Sequence, residues 1–142
     1  MRFLFTTQPA SGQLHPLVSV AQALMTAGHE VTFACSPLFC PVVEASGFPA
    51  VPAGLDWLES ALGNEFPRIE EMVDTQGAAA VLNWVNEEVF AGVTAERIVP
   101  DLLALARDWR PDMIVRDVYG SGGYIAAEAL EVPHATTDRD EW

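Results

Sequence analysis

The sequence contains no lysine; all seven of its basic residues are arginine. That excludes from this chain a Walker A phosphate loop, a pyridoxal Schiff base and a lysine general base. Positive charge is scarce altogether, with seven Arg against twenty Asp and Glu, for a formal net charge of −13. Such a surface repels phosphodiester backbones and anionic lipid head groups, so neither nucleic acid nor a membrane is the expected partner. A small, neutral ligand is. Only two cysteines occur, Cys35 and Cys40. Their spacing matches neither a Cys-x-x-Cys redox motif nor half of a zinc site, so they read as reduced, buried thiols. No apolar run approaches the ~18 residues of a membrane span, and the opening Met1-Arg2-Phe3-Leu4-Phe5 is too short for a signal peptide. A soluble, cytoplasmic protein is the expectation.

What is present is an ordinary globular balance, half hydrophobic and one fifth charged, over 142 residues. That length suits a single core. Short apolar runs at 2–7, 30–35, 50–52, 112–117 and 134–137 read as buried strands. Between them lie helical patterns. One runs over 16–25, with Pro16 at its first position and Gly28 beyond its end. Another starts at Ser36-Pro37 and stops at Gly47; a third covers 94–109, kinked or restarted at Pro100; a fourth covers 124–130 after Gly120-Ser121-Gly122-Gly123. The stretch 53–92 is looser, with helical spacing at 67–74 and 78–89.

Strands alternating with helices predict an α/β fold with a doubly wound parallel sheet, because each parallel return needs a crossover. Right-handed crossovers that wind first one way and then back give the Rossmann-like order 3-2-1-4-5. The first and fourth strands then meet at the switch point, and the crevice there is faced by residues 8–15 and 117–123. A dinucleotide fits it poorly. The first loop has one glycine, Gly12, where the fingerprint needs three, and the second strand ends in Cys35-Ser36 rather than an acid. The crevice does offer an imidazole and a carboxylate, His15 and Asp117, the pairing by which an acid orients a base.

Gly12-Gln13-Leu14-His15-Pro16-Leu17, then Ala21-Gln22-Ala23-Leu24 and Ala27-Gly28-His29-Glu30-Val31-Thr32, resemble the opening of bacterial family 1 glycosyltransferases of the GT-B fold, enzymes that decorate natural products. Arg110-Pro111-Asp112-Met113-Ile114-Val115-Arg116-Asp117, Gly122-Gly123-Tyr124 and Val132-Pro133-His134-Ala135 resemble a later block of the same family. The resemblance implies that residues 1–142 are an incomplete N-terminal, acceptor-binding half. It implies inverting sugar transfer from a nucleotide diphosphate sugar to an acceptor hydroxyl, without a metal. The chain itself would bind no cofactor and be inactive alone; the donor would sit on a C-terminal domain supplied in cis or in trans. By position Asp117 matches the family's His-orienting acid, while the place of the catalytic His is taken by Gln13. Either His15, two residues on, replaces that base, or it merely caps the helix and Asp117, substrate positioning or nothing does the work. Gly12, Trp57, Phe66 and Trp84 are the candidates for lining the acceptor site, since apolar walls suit aglycones. The tail Asp138-Arg139-Asp140 spells the Asp-x-Asp of metal-dependent transferases but reads as solvated chain, not a metal site. A noncatalytic small-molecule-binding or accessory domain docked on a partner chain is the alternative.

Overall fold

The computed structural model of the chain describes residues 1–138. Arg139 and Asp140 of the Asp-x-Asp tail lie outside the described residues.

Five parallel strands form one sheet: β1 (Arg2–Thr6), β2 (Glu30–Cys35), β3 (Ala50–Pro52), β4 (Met113–Asp117) and β5 (His134–Thr137). Their order is β3-β2-β1-β4-β5, as the winding argument predicts. The period of two along each strand divides the core into two layers. Phe3, Phe5, Val31, Phe33 and Val115 point to the side covered by helix α1 (Ser11–Thr26) and helix α2 (Cys40–Ala45). Leu4, Ala34 and Ile114 point the other way, toward Leu102 of helix α6 (Thr94–Trp109) and Ala126 and Ala127 of helix α7 (Ser121–Leu130). Strands buried on both faces are why the sequence shows near-continuous apolar runs rather than alternation.

Between β3 and α6 the chain forms α3 (Leu62–Glu65), α4 (Arg68–Gln76) and α5 (Ala78–Trp84). It then widens into a π-helical segment, Val85–Val93, that leads directly into α6. The sequence pattern predicts ordinary helix to residue 89; the wider turn instead lets Val85, Val89 and Phe90 all reach the interior. Residues 36–47 likewise divide into a tight turn, Pro37–Phe39, and α2.

Two helix starts fall earlier than the sequence suggests. Helix α7 begins at Ser121 and absorbs the glycines assigned to a turn. Helix α1 begins at Ser11, so Gly12, Gln13 and His15 belong to its first turns and Pro16 is its sixth residue. No side chain caps it, because residue 10 is alanine. Pro16 is tolerated because the carbonyl its ring crowds belongs to Gly12, close to the free end of the helix. Pro100 similarly sits exposed within α6, which runs on without a restart. The stop after α1 is as read: Gly28 takes φ +87°, with His29 N–H donating to the Leu24 carbonyl and Gly28 N–H to that of Met25.

The α7 glycines have a packing reason. A Cβ on Gly123 would lie 2.5 Å from Oγ1 of the buried Thr6 on β1. Gly123→Ala is therefore expected to destabilise the chain by roughly 1–3 kcal/mol, the usual cost of overpacking. Urea unfolding measures it, and an unchanged midpoint would show that α7 can shift away from β1.

Candidate functional site

Parallel pairing of Thr6 with Arg116 places the carboxyl ends of β1 and β4 side by side. Asp117, the last residue of β4, has the same parity as Val115 and so lies toward the α1 side of the sheet. It is only 1% exposed. One carboxylate oxygen accepts the Gln8 N–H at 2.5 Å, and the other accepts the Tyr119 N–H at 2.7 Å. Burial pushes its pKa up to about 6, against the opposing pull of those two N–H groups, the Thr7 hydroxyl and the Arg116 guanidinium. Desolvation thus outweighs three hydrogen bonds and a charge.

A folded-state pKa above the unfolded value means the folded chain takes up a proton between pH 6 and about 4, so protonation favours folding and ionisation opposes it. A shift from 3.8 to about 6 corresponds to on the order of 3 kcal/mol. Relative to Asp117→Asn, the wild-type chain should gain stability as the pH falls from 7 to 4; parallel urea titrations of the two would show it, and parallel curves would contradict it.

Gln13 stands in the first turn of α1 and is buried, 4% exposed. Its Oε1 has no hydrogen-bond partner among the described residues. That leaves a buried acceptor with no donor, an arrangement that costs free energy unless something donates to it. No hydrogen bond joins Gln13 to Asp117. His15 is on the other side of α1, exposed, lining a shallow apolar groove with Gly12, Pro16, Val20 and Leu24. The expectation that His15 precedes the helix and meets Asp117 in the crevice is therefore corrected. Two residues of helix turn a side chain by about 200°, so with Gln13 facing inward His15 faces out. Gly12, exposed beside it, opens toward that groove too.

Trp57, Phe66 and Trp84 do come together. The Trp57 and Phe66 rings meet edge to face at 5.9 Å, and Phe66 and Trp84 at 6.3 Å. Arg68 lies over the Trp84 ring at 5.8 Å. Phe90 continues the cluster from Trp57 to Tyr119, whose ring is 5.1 Å away. Trp57 itself is buried, its N–H donating to Ser36 Oγ and its carbonyl accepting the Ser36 hydroxyl. The three are walls of one aromatic cluster over the carboxyl ends of the strands. Beneath it is a small cleft of mixed character, lined by Thr6, Gln8, Ser36 and Thr94 and by Leu55 and Ile98 among others, enclosing about 30 Å³. That is space for a water or a hydroxyl, not an aglycone.

Gln8 and Thr94 were not among the candidates read from the sequence, yet they tie this region together. Gln8 is buried; its side-chain Nε2 donates to Thr94 Oγ1 and to the Tyr119 carbonyl, both at 3.2 Å. The only sequence signal for Gln8 is its place at the carboxyl end of β1. Among the described residues no group of three or more His, Cys, Asp or Glu is placed to hold a metal ion, and no helix is long and apolar enough to cross a membrane. Cys35 and Cys40 are free and buried.

A family profile described as "Erythromycin biosynthesis protein CIII-like, N-terminal domain" matches residues 22–139. The chain is 32% identical to the aclacinomycin-T 2-deoxy-L-fucose transferase of Streptomyces galilaeus, over 95% of this chain and 36% of that protein. It is also 32% identical to the tylactone mycaminosyltransferase of Streptomyces fradiae, over 95% of this chain and 33% of that one. Among solved structures, glycosyltransferase VinC in complex with DTDP superimposes with a TM-score of 0.75 at 33% identity, covering all of this chain and 36% of its own. The glycosyltransferase SsfS6 of Streptomyces sp. SF2575, complexed with thymidine diphosphate, gives 0.76 at 25% identity, over 96% of this chain and 38% of its own. The chain thus spans about a third of the length of the proteins it matches.

Proposed function

Because this chain belongs to the erythromycin biosynthesis protein CIII-like N-terminal domain family, we propose that it is the acceptor-binding half of an inverting, nucleotide-sugar-dependent glycosyltransferase acting on a natural-product hydroxyl. The relatives named above are sugar transferases by name, two of them an aclacinomycin-T 2-deoxy-L-fucose transferase and a tylactone mycaminosyltransferase. The nucleotide sugar is expected on a donor domain beyond this chain, so residues 1–142 alone carry no transfer.

The geometry that carries the mechanism is Asp117, a buried carboxylate at the switch point held by the Gln8 and Tyr119 N–H groups, whose burial raises its pKa to about 6. A base poised near the working pH is ionised yet still basic enough to accept a proton in the transition state. The acceptor hydroxyl attacks the anomeric carbon, the bond from that carbon to the diphosphate oxygen breaks, and the hydroxyl proton passes to Asp117. Gln13, whose buried Oε1 is unpartnered, is assigned to accept a hydrogen bond from that hydroxyl once the site opens to admit it. His15, exposed on the far side of α1, takes no part.

The test is acceptor-dependent nucleotide release by a protein joining this chain to a donor domain. Its rate should fall below about pH 6 as Asp117 becomes protonated; a rate flat from pH 5 to 8 would remove Asp117 as the base. Gln13, an amide where relatives of the resembled family carry a base, favours one second reading: a noncatalytic module that binds the small molecule or docks on a partner. That reading expects acceptor binding without any nucleotide release.

A further inference from the structure

The buried contacts around Asp117 close into a ring. Gln8 N–H and Tyr119 N–H hold the two carboxylate oxygens. The Gln8 side chain holds Thr94 Oγ1 and the Tyr119 carbonyl, and the Thr94 hydroxyl donates to the Phe90 carbonyl at 3.0 Å. The Phe90 and Tyr119 rings then lie against each other. One residue therefore touches the loop after β1, the loop after β4 and the junction between the π-helical segment and α6.

We infer that Gln8 is a positioning residue, whose side-chain amide couples the aromatic segment around Phe90 to the Asp117 carboxylate and so sets the acid when an acceptor seats against that segment. Its chemistry suits the task. A buried amide with both hydrogens engaged has one orientation available, and releasing it leaves the Thr94 hydroxyl and the half-buried Tyr119 carbonyl without their donor. The partner on the far side is the end of the π-helical segment, a helix geometry that is rare and found frequently at functional sites. Asp117 is the carboxyl of this ring, and among the described residues Arg116 is the charged neighbour acting on it. The inference rests on the proposed transferase reading only for its catalytic arm.

Gln8→Met keeps length and burial but removes both donors, and Thr94→Val keeps shape but removes the acceptor for Gln8 together with the donor to the Phe90 carbonyl. In the intact gene product, the Asp117 carboxyl is followed by carbon NMR titration. Each variant should raise its midpoint by roughly half a unit or more as the Gln8 N–H loosens, and the double variant should shift it no further than the larger single one. In the assembled transferase kcat should fall about tenfold, with the acceptor KM within about threefold. A Gln8→Met titration that overlays the wild type, or shifts that simply add in the double variant, would overturn the coupling and leave Gln8 as packing. A wild-type protein without transfer activity would remove the transferase reading, while the titration would still decide the coupling.

Discussion

Asp117→Asn is expected to lower kcat by ~100-fold or more in a protein that joins this chain to a donor domain, with acceptor KM changed by less than about threefold. The carboxamide keeps the size of the side chain, so acceptor binding should survive. It loses the charge that accepts the proton. It also presents an N–H₂ to one of the two backbone N–H groups that now meet a carboxylate oxygen, those of Gln8 and Tyr119. Two donors then face each other in a buried site, and the loop after β1 or β4 must move. Folding offers a control in the opposite direction. The wild-type carboxylate is destabilising when ionised because burial raises its pKa to about 6, so at pH 7 the Asn variant is relieved of that charge while it loses one hydrogen bond. A large fall in kcat without a comparable fall in unfolding free energy would locate the effect in chemistry; full turnover in the variant would mean that another group takes the proton.

The sheet was legible because strand and helix periods differ and because parallel strands buried on both faces leave unbroken apolar runs such as Phe3-Leu4-Phe5 and Ile114-Val115. Handedness then left few orders to consider, and β1 beside β4 followed from it, placing Asp117 at the switch point of what is the N-terminal half of a GT-B fold. The first turn of α1 was not legible. A helix start is read from a capping oxygen, and Ala10 has none, so Pro16 looked like the beginning although five helical residues precede it. That single displacement of the start moves His15 from the crevice to the outer face of α1. Gln8 was missed for a different reason: its most direct contact with Asp117 is through the backbone N–H, which every residue but proline possesses and no sequence pattern reports. The aromatic residues were visible as residues, but the π-helical turn that brings Phe90 onto Tyr119 depends on tertiary packing that local spacing does not encode.

The opposite change to Asp117→Asn, installing a base rather than removing one, is expected at Gln13. Gln13→His should raise kcat by ~10-fold or more, and should move the midpoint of the acid limb toward the imidazole range near pH 6.5. Gln13 is buried in the first turn of α1 with Oε1 unpartnered, so an imidazole there replaces an amide that holds a hydroxyl with a group that can also take its proton. The side chains are of similar volume, and the open acceptor position argues for tolerance at that end. His15→Ala, by contrast, should leave kcat within about twofold, because His15 is exposed in the groove with Pro16, Val20 and Leu24 and makes no hydrogen bond or ion pair with a described residue. The pair of variants separates two histories of the site. A gain at Gln13 with silence at His15 means the base position stands where the resemblance puts it and holds an amide in this chain. Loss of activity in His15→Ala would mean that α1 unwinds or rotates by about half a turn when the donor domain closes, bringing His15 inward; Gln13→His would then add nothing.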